Sequence, residues 1–470
     1  MSLPDPFREL ARRFPADRFL TDRTELFVYE CDGLPVHRQP PAAVVLCETR
    51  DEVVACVKWC AANEVPFVPR GAGTGLSGGA TPVRGCLLLD LNRMRAIRKI
   101  DARSRYAVVE PGLINVRLTE AAKPHRLMYA PDPSSQTACT LGGNIAENSG
   151  GPHCLKYGVT IDHVLGLEVV LPDGEVVRLG GPIADHPDHD LVQLFVGAEG
   201  TFGVVTEITL RLTPDPPEVR TFLAIFDSMA KACRTVTEIT RSGIVPVALE
   251  ILDRRTIEAV EASVNRAGYP TNAAAVLLVE LDGFAAGMDE EERAIVAMAR
   301  ANDPIELRSA RDPAERVALW KGRKGAFGAM GRVDTDLYVL GGVVPRTALE
   351  ETLEKVYEIA DRYRVKVSNV FHAGDGNLHP NISYDGRDAD VTARVLAAGE
   401  EMLRACVAAG GSISGEHGIG LEKRDFMPLL FGEGDLALMT GIRDAIDPEG
   451  IANPGKGFPD RRAKRRKARA

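Results

Sequence analysis

The sequence predicts two consecutive α+β domains, and three observations support this prediction. At 470 residues, the chain exceeds the size of one ordinary hydrophobic core. Between residues 40 and 213, short apolar runs alternate with glycine-rich turns, which is typical of short strands. After a proline-rich stretch at 214–220, longer helical patterns alternate with strands. We therefore expect a first domain over residues 40–217 and a second over residues 218–458.

Periodicity and turn chemistry predict the individual elements. Residues 1–39 are expected to form an N-terminal helical segment. A helix is predicted over Asp51–Glu64, because its apolar residues recur on one face. Residues 167–179 place Asp173-Gly174 between two alternating apolar runs, which indicates a β-hairpin. In the second domain, helices are predicted at 348–364 and 394–410 and strands at 274–281 and 366–376.

Composition excludes several classes of protein. The chain is 45% hydrophobic and 26% charged, with a mean hydropathy of −0.08, as in globular proteins. No apolar run approaches the roughly 18 residues that a spanning helix needs. The first ten residues, MSLPDPFREL, lack the apolar stretch of a secretory signal. The nine cysteines show no CxxC spacing, so reduced, mostly buried thiols in a cytoplasmic protein are expected.

The charge distribution is uneven. The net charge is −9, yet residues 461–470 contain seven basic side chains. We expect residues 459–470 to form a basic disordered tail. The alternative is a docking arm for an acidic partner subunit or for anionic lipid, which would place the protein at the inner face of a membrane. Because the rest of the chain is acidic, nucleic-acid binding is not predicted.

Glycine clusters in the first half indicate a long anionic ligand. Gly73, Gly75 and Gly78 form a G-x-G-x-x-G pattern, but a strand-like run rather than a helix follows, so a nicotinamide-type dinucleotide fold is not predicted. Further clusters lie at 131–158 and 196–203. Consecutive main-chain N–H groups in such turns form concave nests that bind phosphate.

The second half contains candidate metal ligands. Residues 371–381 read FHAGDGNLHPN and residues 411–420 read GSISGEHGIG. His372, His379 and Glu416 are together compatible with a two-histidine, one-carboxylate metal site. From the residues alone, structural or exposed histidines remain the alternative.

These motifs resemble a known family. The order PRGAGTGLSGG, PDPSSQTACTLGGNIAENSGGPHCLKYG and VGAEGTFGVVTEITL is similar to the FAD-binding domain of vanillyl-alcohol-oxidase-type flavoproteins. The C-terminal motifs resemble its D-2-hydroxy-acid dehydrogenase branch, which includes the flavin subunit of glycolate oxidase and the D-lactate dehydrogenases. The resemblance covers residues 40–458. It implies an α+β fold with a two-part FAD-binding domain, an α+β substrate (cap) domain and a C-terminal helical strap.

The resemblance also implies non-covalently bound FAD and a set of residues that contact it. The pyrophosphate would lie on Arg70, Gly71, Ala72, Gly73, Thr74, Gly75 and Leu76. The flavin and ribityl chain would lie against Pro133, Ser134, Gly142, Gly143, Asn144, Asn148 and Gly151. The adenosine would lie against Glu199, Gly200 and Val205, and Asn453 in the strap would reach back to the flavin.

For the reaction, the resemblance implies a divalent metal (Zn, Mn or Fe) on His372, His379 and Glu416. His417 would be the base, Arg323 would bind the substrate carboxylate and Asn381 would lie near the substrate. From the residues alone, a solvated helix face is the favoured interpretation of Arg323.

The implied activity is FAD-dependent oxidation of a D-2-hydroxy acid, glycolate or D-lactate, with hydride transfer to flavin N5. Three alternatives remain: a D-2-hydroxyglutarate dehydrogenase, a non-catalytic FAD-binding partner subunit and a non-redox flavin transferase. The electron acceptor would be an iron–sulfur subunit or another carrier, and the assembly a homodimer or a larger complex.

Overall fold

The computed structural model describes residues 5–183 and 189–459. Residues 460–470, which include nearly all of the predicted basic tail, lie outside the described residues. In chain order the strands are β1 (Phe19–Leu20), β2 (Ala43–Leu46), β3 (Phe67–Arg70), β4 (Leu87–Asp90), β5 (Ile97–Asp101), β6 (Tyr106–Val109), β7 (Leu127–Met128), β8 (Val164–Val170), β9 (Val176–Gly180), β10 (Val204–Arg211), β11 (Thr213–Pro214), β12 (Glu218–Phe226), β13 (Ala248–Asp253), β14 (Ala275–Gly283), β15 (Glu306–Ser309), β16 (Asp336–Val339), β17 (Gly342–Val343), β18 (Lys366–His372), β19 (Asn377–Leu378) and β20 (Pro380–Tyr384).

The α-helices are α1 (Asp5–Ala11), α2 (Arg23–Phe27), α3 (Arg50–Ala62), α4 (Asn115–Ala122), α5 (Leu141–Glu147), α6 (Cys154–Tyr157), α7 (Leu191–Phe195), α8 (Met229–Arg241), α9 (Arg254–Glu261), α10 (Ala285–Ala301), α11 (Pro313–Lys324), α12 (Ala326–Met330), α13 (Leu349–Tyr363), α14 (Ala389–Ala408) and α15 (Glu433–Ile446). Among the described residues, every helix is too short or too polar to cross a membrane.

The chain forms two compact units. Unit 1 comprises the described parts of Met1–Gly150, Val159–Asp215 and Glu416–Ala470, and unit 2 comprises Gly151–Gly158 and Pro216–Gly415. This division differs from the predicted one in two segments. The 151–158 segment belongs to unit 2, where Lys156 and Tyr157 bind the carboxylate of Asp282.

The C-terminal segment, predicted within the second domain, belongs to unit 1. Its residue Ala452 forms a parallel bridge with Phe67 of β3, and the N–H of Asn453 donates to the Phe67 carbonyl at 2.8 Å. Main-chain pairing with β3 therefore fixes this strap. The N-terminal segment also differs from expectation, because besides α1 and α2 it contributes β1, which pairs antiparallel with β2.

Unit 1 contains two main sheets, as expected for a two-part domain. One has the order β1-β2-β4-β3, with β4 parallel to both β2 and β3. The other is antiparallel, with the order β5-β6-β10-β8-β9. The predicted hairpin is confirmed as β8 and β9, with Gly174 at φ +83° in the connecting turn. The predicted helix over 51–64 is confirmed as α3, which Thr49 caps through its side chain.

Unit 2 is built on one extended sheet with the order β15-β12-β14-β13-β18-β19-β17, to which β20 and β16 are joined through β18. Both faces of its central strands are covered. In β12, Phe222 and Ala224 belong to one hydrophobic core and Leu223 and Ile225 to another. Successive side chains point to opposite faces of a strand, so a strand covered on both faces is apolar throughout. This explains the continuous apolar run at 275–279 in β14.

Candidate functional site

The glycine-rich loop at 71–79 in unit 1 follows β3 and reaches β4 without a helix, as predicted. Gly73 and Gly78 adopt φ values of +69° and +78°, which favour glycine. Arg70 stabilises the loop, since its Nη1 donates to the carbonyl of Cys31 at 2.8 Å, and a Cβ on Gly73 would collide with its guanidinium. Residues 71–76 of the loop are at least partly exposed, whereas residues 77–79 are buried. This geometry fits a main-chain nest for a phosphate-bearing cofactor.

Helix α5 is the element around which the other cofactor candidates gather. Thr140 caps its first turn by accepting from the N–H of Gly143 at 3.3 Å. A Cβ on Gly71 would collide with the Thr140 hydroxyl, so the glycine-rich loop lies against the start of α5. At the other end, the N–H of Glu199 donates to the Ala146 carbonyl at 2.8 Å. Two separate glycine clusters thus meet at one short helix.

The remaining cofactor candidates are distributed along unit 1 with one exception. Pro133 opens a turn in which its carbonyl accepts from the N–H of Gln136 at 2.7 Å, and Ser134 follows it. Val205 lies in β10 and is partly exposed. Gly151 is the exception, because it begins the segment that belongs to unit 2.

Three predicted asparagines have structural partners of their own. Asn144 accepts from Asn115 Nδ2 at 3.0 Å, and Asn148, at φ +52°, accepts from the N–H of Ile161 at 2.8 Å. Asn453 Nδ2 donates to the carbonyls of Gly79 and Glu199, at 2.9 and 2.6 Å. The side-chain amide of Asn453 therefore ties the strap to the glycine-rich loop and to the Glu199 turn. Its predicted contact with the flavin stays a prediction.

Sequence reasoning missed a cluster of carboxyl groups beside the glycine-rich loop. Burial and the neighbouring charges of Glu199 and Asp32 raise the pKa of Glu147 well above its usual range, and burial raises the pKa of Glu199 and of Asp32. Lys456 is fully buried, and burial lowers its pKa to about 8. Its Nζ donates to Asn453 Oδ1 at 3.0 Å. Lys456, Arg70 and Lys423 therefore act on these carboxyl groups, a pattern that scattered sequence positions do not reveal.

In unit 2, a buried cluster surrounds the first predicted metal ligand. His372 Nδ1 lies 2.7 Å from Glu250 Oε1, and Arg323 Nε donates to Glu250 Oε2 at 2.6 Å. All three residues are at most 5% exposed. Burial alone would raise the pKa of Glu250, but the charge of Arg323 and the hydrogen bonds from both partners lower it below its usual range. Arg323 is therefore not on a solvated helix face, and Glu250 is a site residue that sequence reasoning missed.

The turn after β18 brings the second histidine back to the first. The rings of His372 and His379 lie 5.1 Å apart, edge to face, and a nitrogen of each lies within 4.8 Å of the other. Gly376 has φ +78°, and a Cβ there would collide with the Val344 carbonyl. Asp375 accepts from the N–H of Asn377 at 3.1 Å, which closes the turn. The geometry of this turn requires glycine at position 376.

Asn381 lies beside this pair in β20. Its Nδ2 donates to the His379 carbonyl at 2.8 Å. Its Oδ1 is buried and has no hydrogen-bond partner among residues 5–183 and 189–459. A buried acceptor of this kind is costly unless a ligand satisfies it, which fits a metal or substrate next to the histidines.

Glu416 and His417 lie where the two units join along the chain. Gly415, the last residue of unit 2, approaches β19 so closely that a Cβ would lie 2.6 Å from Asn377 Oδ1. Glu416 follows directly in the chain, with its Cα about 3.8 Å from the Cα of Gly415. After His417, the N–H groups of Ile419 and Gly420 donate to the Glu199 carboxylate at 2.7 Å each. Both flanks of the pair are thus held by well-defined contacts.

Comparison with known families identifies the class of protein. Residues 41–180 match the FAD binding domain, and residues 215–457 match the C-terminal domain of FAD linked oxidases. The chain belongs to the FAD-linked oxidase family. It is an FAD-linked oxidoreductase, and the FAD-binding match falls on the glycine-rich loop and on α5 of unit 1.

Curated relatives extend this family assignment over the whole chain. The glycolate oxidase subunit GlcD of Escherichia coli K12 is 44% identical, covering 97% of this chain and 93% of the relative. The protein of the same name from Bacillus subtilis is 38% identical, covering 92% of each chain. A D-lactate dehydrogenase of Archaeoglobus fulgidus is 34% identical, covering 91% of this chain and 95% of the relative.

Solved structures with low sequence identity share the fold. A p-cresol methylhydroxylase superposes with a TM-score of 0.83 at 20% identity, covering 97% of this chain and 96% of the other. A 4-ethylphenol oxidase from Gulosibacter chungangensis gives 0.80 at 21% identity, covering 97% of both. An alkyldihydroxyacetonephosphate synthase gives 0.76 at 19% identity, covering 97% and 86%. The predicted vanillyl-alcohol-oxidase type of α+β fold is confirmed.

Proposed function

We propose that this chain oxidises a small D-2-hydroxy acid, glycolate or D-lactate, to the corresponding 2-oxo acid. The observation that carries the proposal is the buried polar cluster of unit 2. His372 and Asn381 lie in the paired strands β18 and β20, and Arg323 lies in α11. The names of the relatives, glycolate oxidase subunit and D-lactate dehydrogenase, point to the same substrate class.

Arg323 is the group that would bind the substrate carboxylate. Its Nε is engaged by Glu250, so a carboxylate would pair with the terminal nitrogens of the guanidinium. Such charge-assisted pairs fix the orientation of a bound acid. This pairing would favour the reaction by positioning the substrate, because holding the acid in a fixed orientation removes much of the entropic barrier.

A divalent metal would be held by His372, His379 and Glu416, and it would favour ionisation of the substrate hydroxyl. His417 would take the hydroxyl proton, because imidazole titrates near neutral pH. The residues of unit 1 would hold FAD, and the chemistry it would supply is the two-electron oxidation of the substrate at C2. The protein contributes binding, orientation and proton transfer.

The sequence favours a monocarboxylate substrate. Residues 333–345 contain no lysine that could bind a second carboxylate of the substrate. D-2-hydroxyglutarate is therefore the second candidate. A non-catalytic FAD-binding subunit is disfavoured, because His372, His379, Glu416 and His417 are all present.

The electron acceptor would belong to another chain or be a diffusible carrier. The full sequence has no CxxC spacing that could bind an iron–sulfur cluster of its own. An iron–sulfur subunit is one such acceptor.

Steady-state turnover with an artificial dye as acceptor tests the substrate assignment. We expect glycolate or D-lactate to give the highest kcat/KM, well above L-lactate and D-2-hydroxyglutarate. Preference for D-2-hydroxyglutarate would move the assignment to the second candidate. Turnover with none of the four acids would remove the proposed substrate class.

A further inference from the structure

Glu250 occupies an unusual position for a carboxylate. It lies in the middle of β13, whose sequence is ALEILD, and it is fully buried. In the antiparallel register of β13 and β18 it stands directly opposite His372. Directly opposed residues present their side chains to the same face of a sheet. The contact between the two side chains is therefore fixed by strand pairing.

The carboxylate determines which nitrogen of His372 carries the proton. Glu250 Oε1 lies 2.7 Å from His372 Nδ1, and an ionised carboxylate can only accept, so Nδ1 is the donor. Arg323 Nη2 also lies 3.5 Å from His372 Nδ1, but a guanidinium has only donors, so this approach adds no hydrogen bond. In the resulting tautomer, Nε2 has the lone pair that a metal ligand requires.

The same carboxylate orients Arg323. Its Oε2 accepts from Arg323 Nε at 2.6 Å, and both groups are almost completely buried. One side chain thus contacts the proposed metal ligand and the proposed carboxylate-binding arginine. An ion pair with a purely structural role would need only the contact between Glu250 and Arg323.

We propose that Glu250 is a positioning residue that orients His372 for metal binding and Arg323 for binding of the acid. The inference rests on the proposed function, because it assigns His372 to a metal. A carboxylate behind a metal-bound histidine raises the basicity of the ligand and fixes the ring, and its removal typically weakens metal affinity about 10–100-fold.

Zinc binding by metal-stripped protein tests the inference without relying on turnover. The variant Glu250→Asp keeps the charge opposite Arg323 but withdraws the carboxylate, and we expect its Zn²⁺ affinity to fall about 10–100-fold in a chelator-competition titration. The Zn²⁺ affinity of Glu250→Gln, in which the side chain keeps its shape but has no charge, should fall by a similar factor. The matched control is Glu280→Asp, because Glu280 is also buried in unit 2 and bonded to an arginine, Arg316.

The possible outcomes separate this inference from the proposed function. If Glu250→Asp and Glu250→Gln bind Zn²⁺ like the unchanged protein while His372→Ala does not, the positioning role is overturned and the metal site stands. If the unchanged protein binds no Zn²⁺, or His372→Ala binds it equally well, the metal site itself is overturned, and the inference with it.

A measurement on the unchanged protein covers the case in which the Glu250 variants do not fold. In ¹⁵N spectra of histidine-labelled, metal-free protein, the signal lost in His372→Ala should show the proton on Nδ1. A proton on Nε2 would overturn the inference.

Discussion

At the residue scale, His417 has the role that most directly concerns the chemical step. We expect His417→Gln to lower kcat by about 10²–10⁴-fold, because a general base typically contributes that much. Bound flavin and Zn²⁺ affinity should be retained, since His417 is not among the proposed metal ligands. The measurement is dye-linked turnover together with the flavin-to-protein ratio.

The matched control for this variant is His125→Gln. His125 is exposed, lies in unit 1 and is not part of the motifs of the site. It should turn over like the unchanged protein. Equal turnover of His417→Gln and His125→Gln would remove His417 as the base.

Glu147 gives a prediction about stability and pH. Burial and the charges of Glu199 and Asp32 raise its pKa in the folded protein. A carboxyl with a raised folded pKa favours folding below about pH 4.5, the unfolded value, and this contribution is lost as pH rises through the folded pKa. Glu147→Gln has no such dependence. We therefore expect the variant to melt at a higher temperature than the unchanged protein at pH 8 and at a similar temperature near pH 4.5.

Thermal melts at both pH values check this expectation. Glu120→Gln is the control, because Glu120 is an exposed carboxylate of unit 1, and it should melt like the unchanged protein at both pH values. A lower melting temperature of Glu147→Gln than of the unchanged protein at pH 8 would contradict the inference that ionisation of Glu147 destabilises the folded protein.

At the element scale, the glycine-rich loop requires glycine at Gly73 for two reasons. Its φ of +69° disfavours any other residue, and a Cβ would collide with the Arg70 guanidinium. Gly85 has a φ of +79°, but a Cβ there would meet nothing within 4 Å. Alanine at position 85 is therefore disfavoured by the backbone conformation alone. Both alanine variants should lose about 1–2 kcal/mol through backbone strain.

The two variants should differ in cofactor retention. Gly73→Ala displaces Arg70 from the loop, so we expect a lower flavin-to-protein ratio after gel filtration. Gly85→Ala should retain flavin like the unchanged protein. Equal retention by both variants would contradict a role of this loop in holding FAD.

Local elements were predictable where the signal lies within a few residues. The helix at α3, the hairpin of β8 and β9, and the absence of a helix after Gly79 all follow from periodicity and turn chemistry. Glu250 was not predictable as a site residue, because its partnership with His372 depends on the pairing of strands about 120 residues apart. A charged residue inside an apolar strand was the only local signal.

At the scale of the whole molecule, the sequence predicted one boundary near residue 217. It did not predict that two segments belong to the unit on the other side of that boundary. The 151–158 segment belongs to unit 2 through contacts with Asp282, and the strap belongs to unit 1 through pairing with β3. Both depend on contacts between distant parts of the chain, which composition and periodicity do not encode. The family's motifs indicated the fold type, whereas the discontinuous units required the structure.

We propose that this protein oxidises a small D-2-hydroxy acid with the help of a bound metal and FAD. Anaerobic bleaching of the yellow absorbance, before and after treatment with EDTA, tests this proposal most directly. We expect rapid bleaching by glycolate or D-lactate and slow bleaching by L-lactate. Bleaching should be lost after EDTA and should recover on addition of Zn²⁺, Mn²⁺ or Fe²⁺. Bleaching that persists after metal removal would contradict the metal role, and a yellow protein that none of these acids bleaches would contradict the proposed activity.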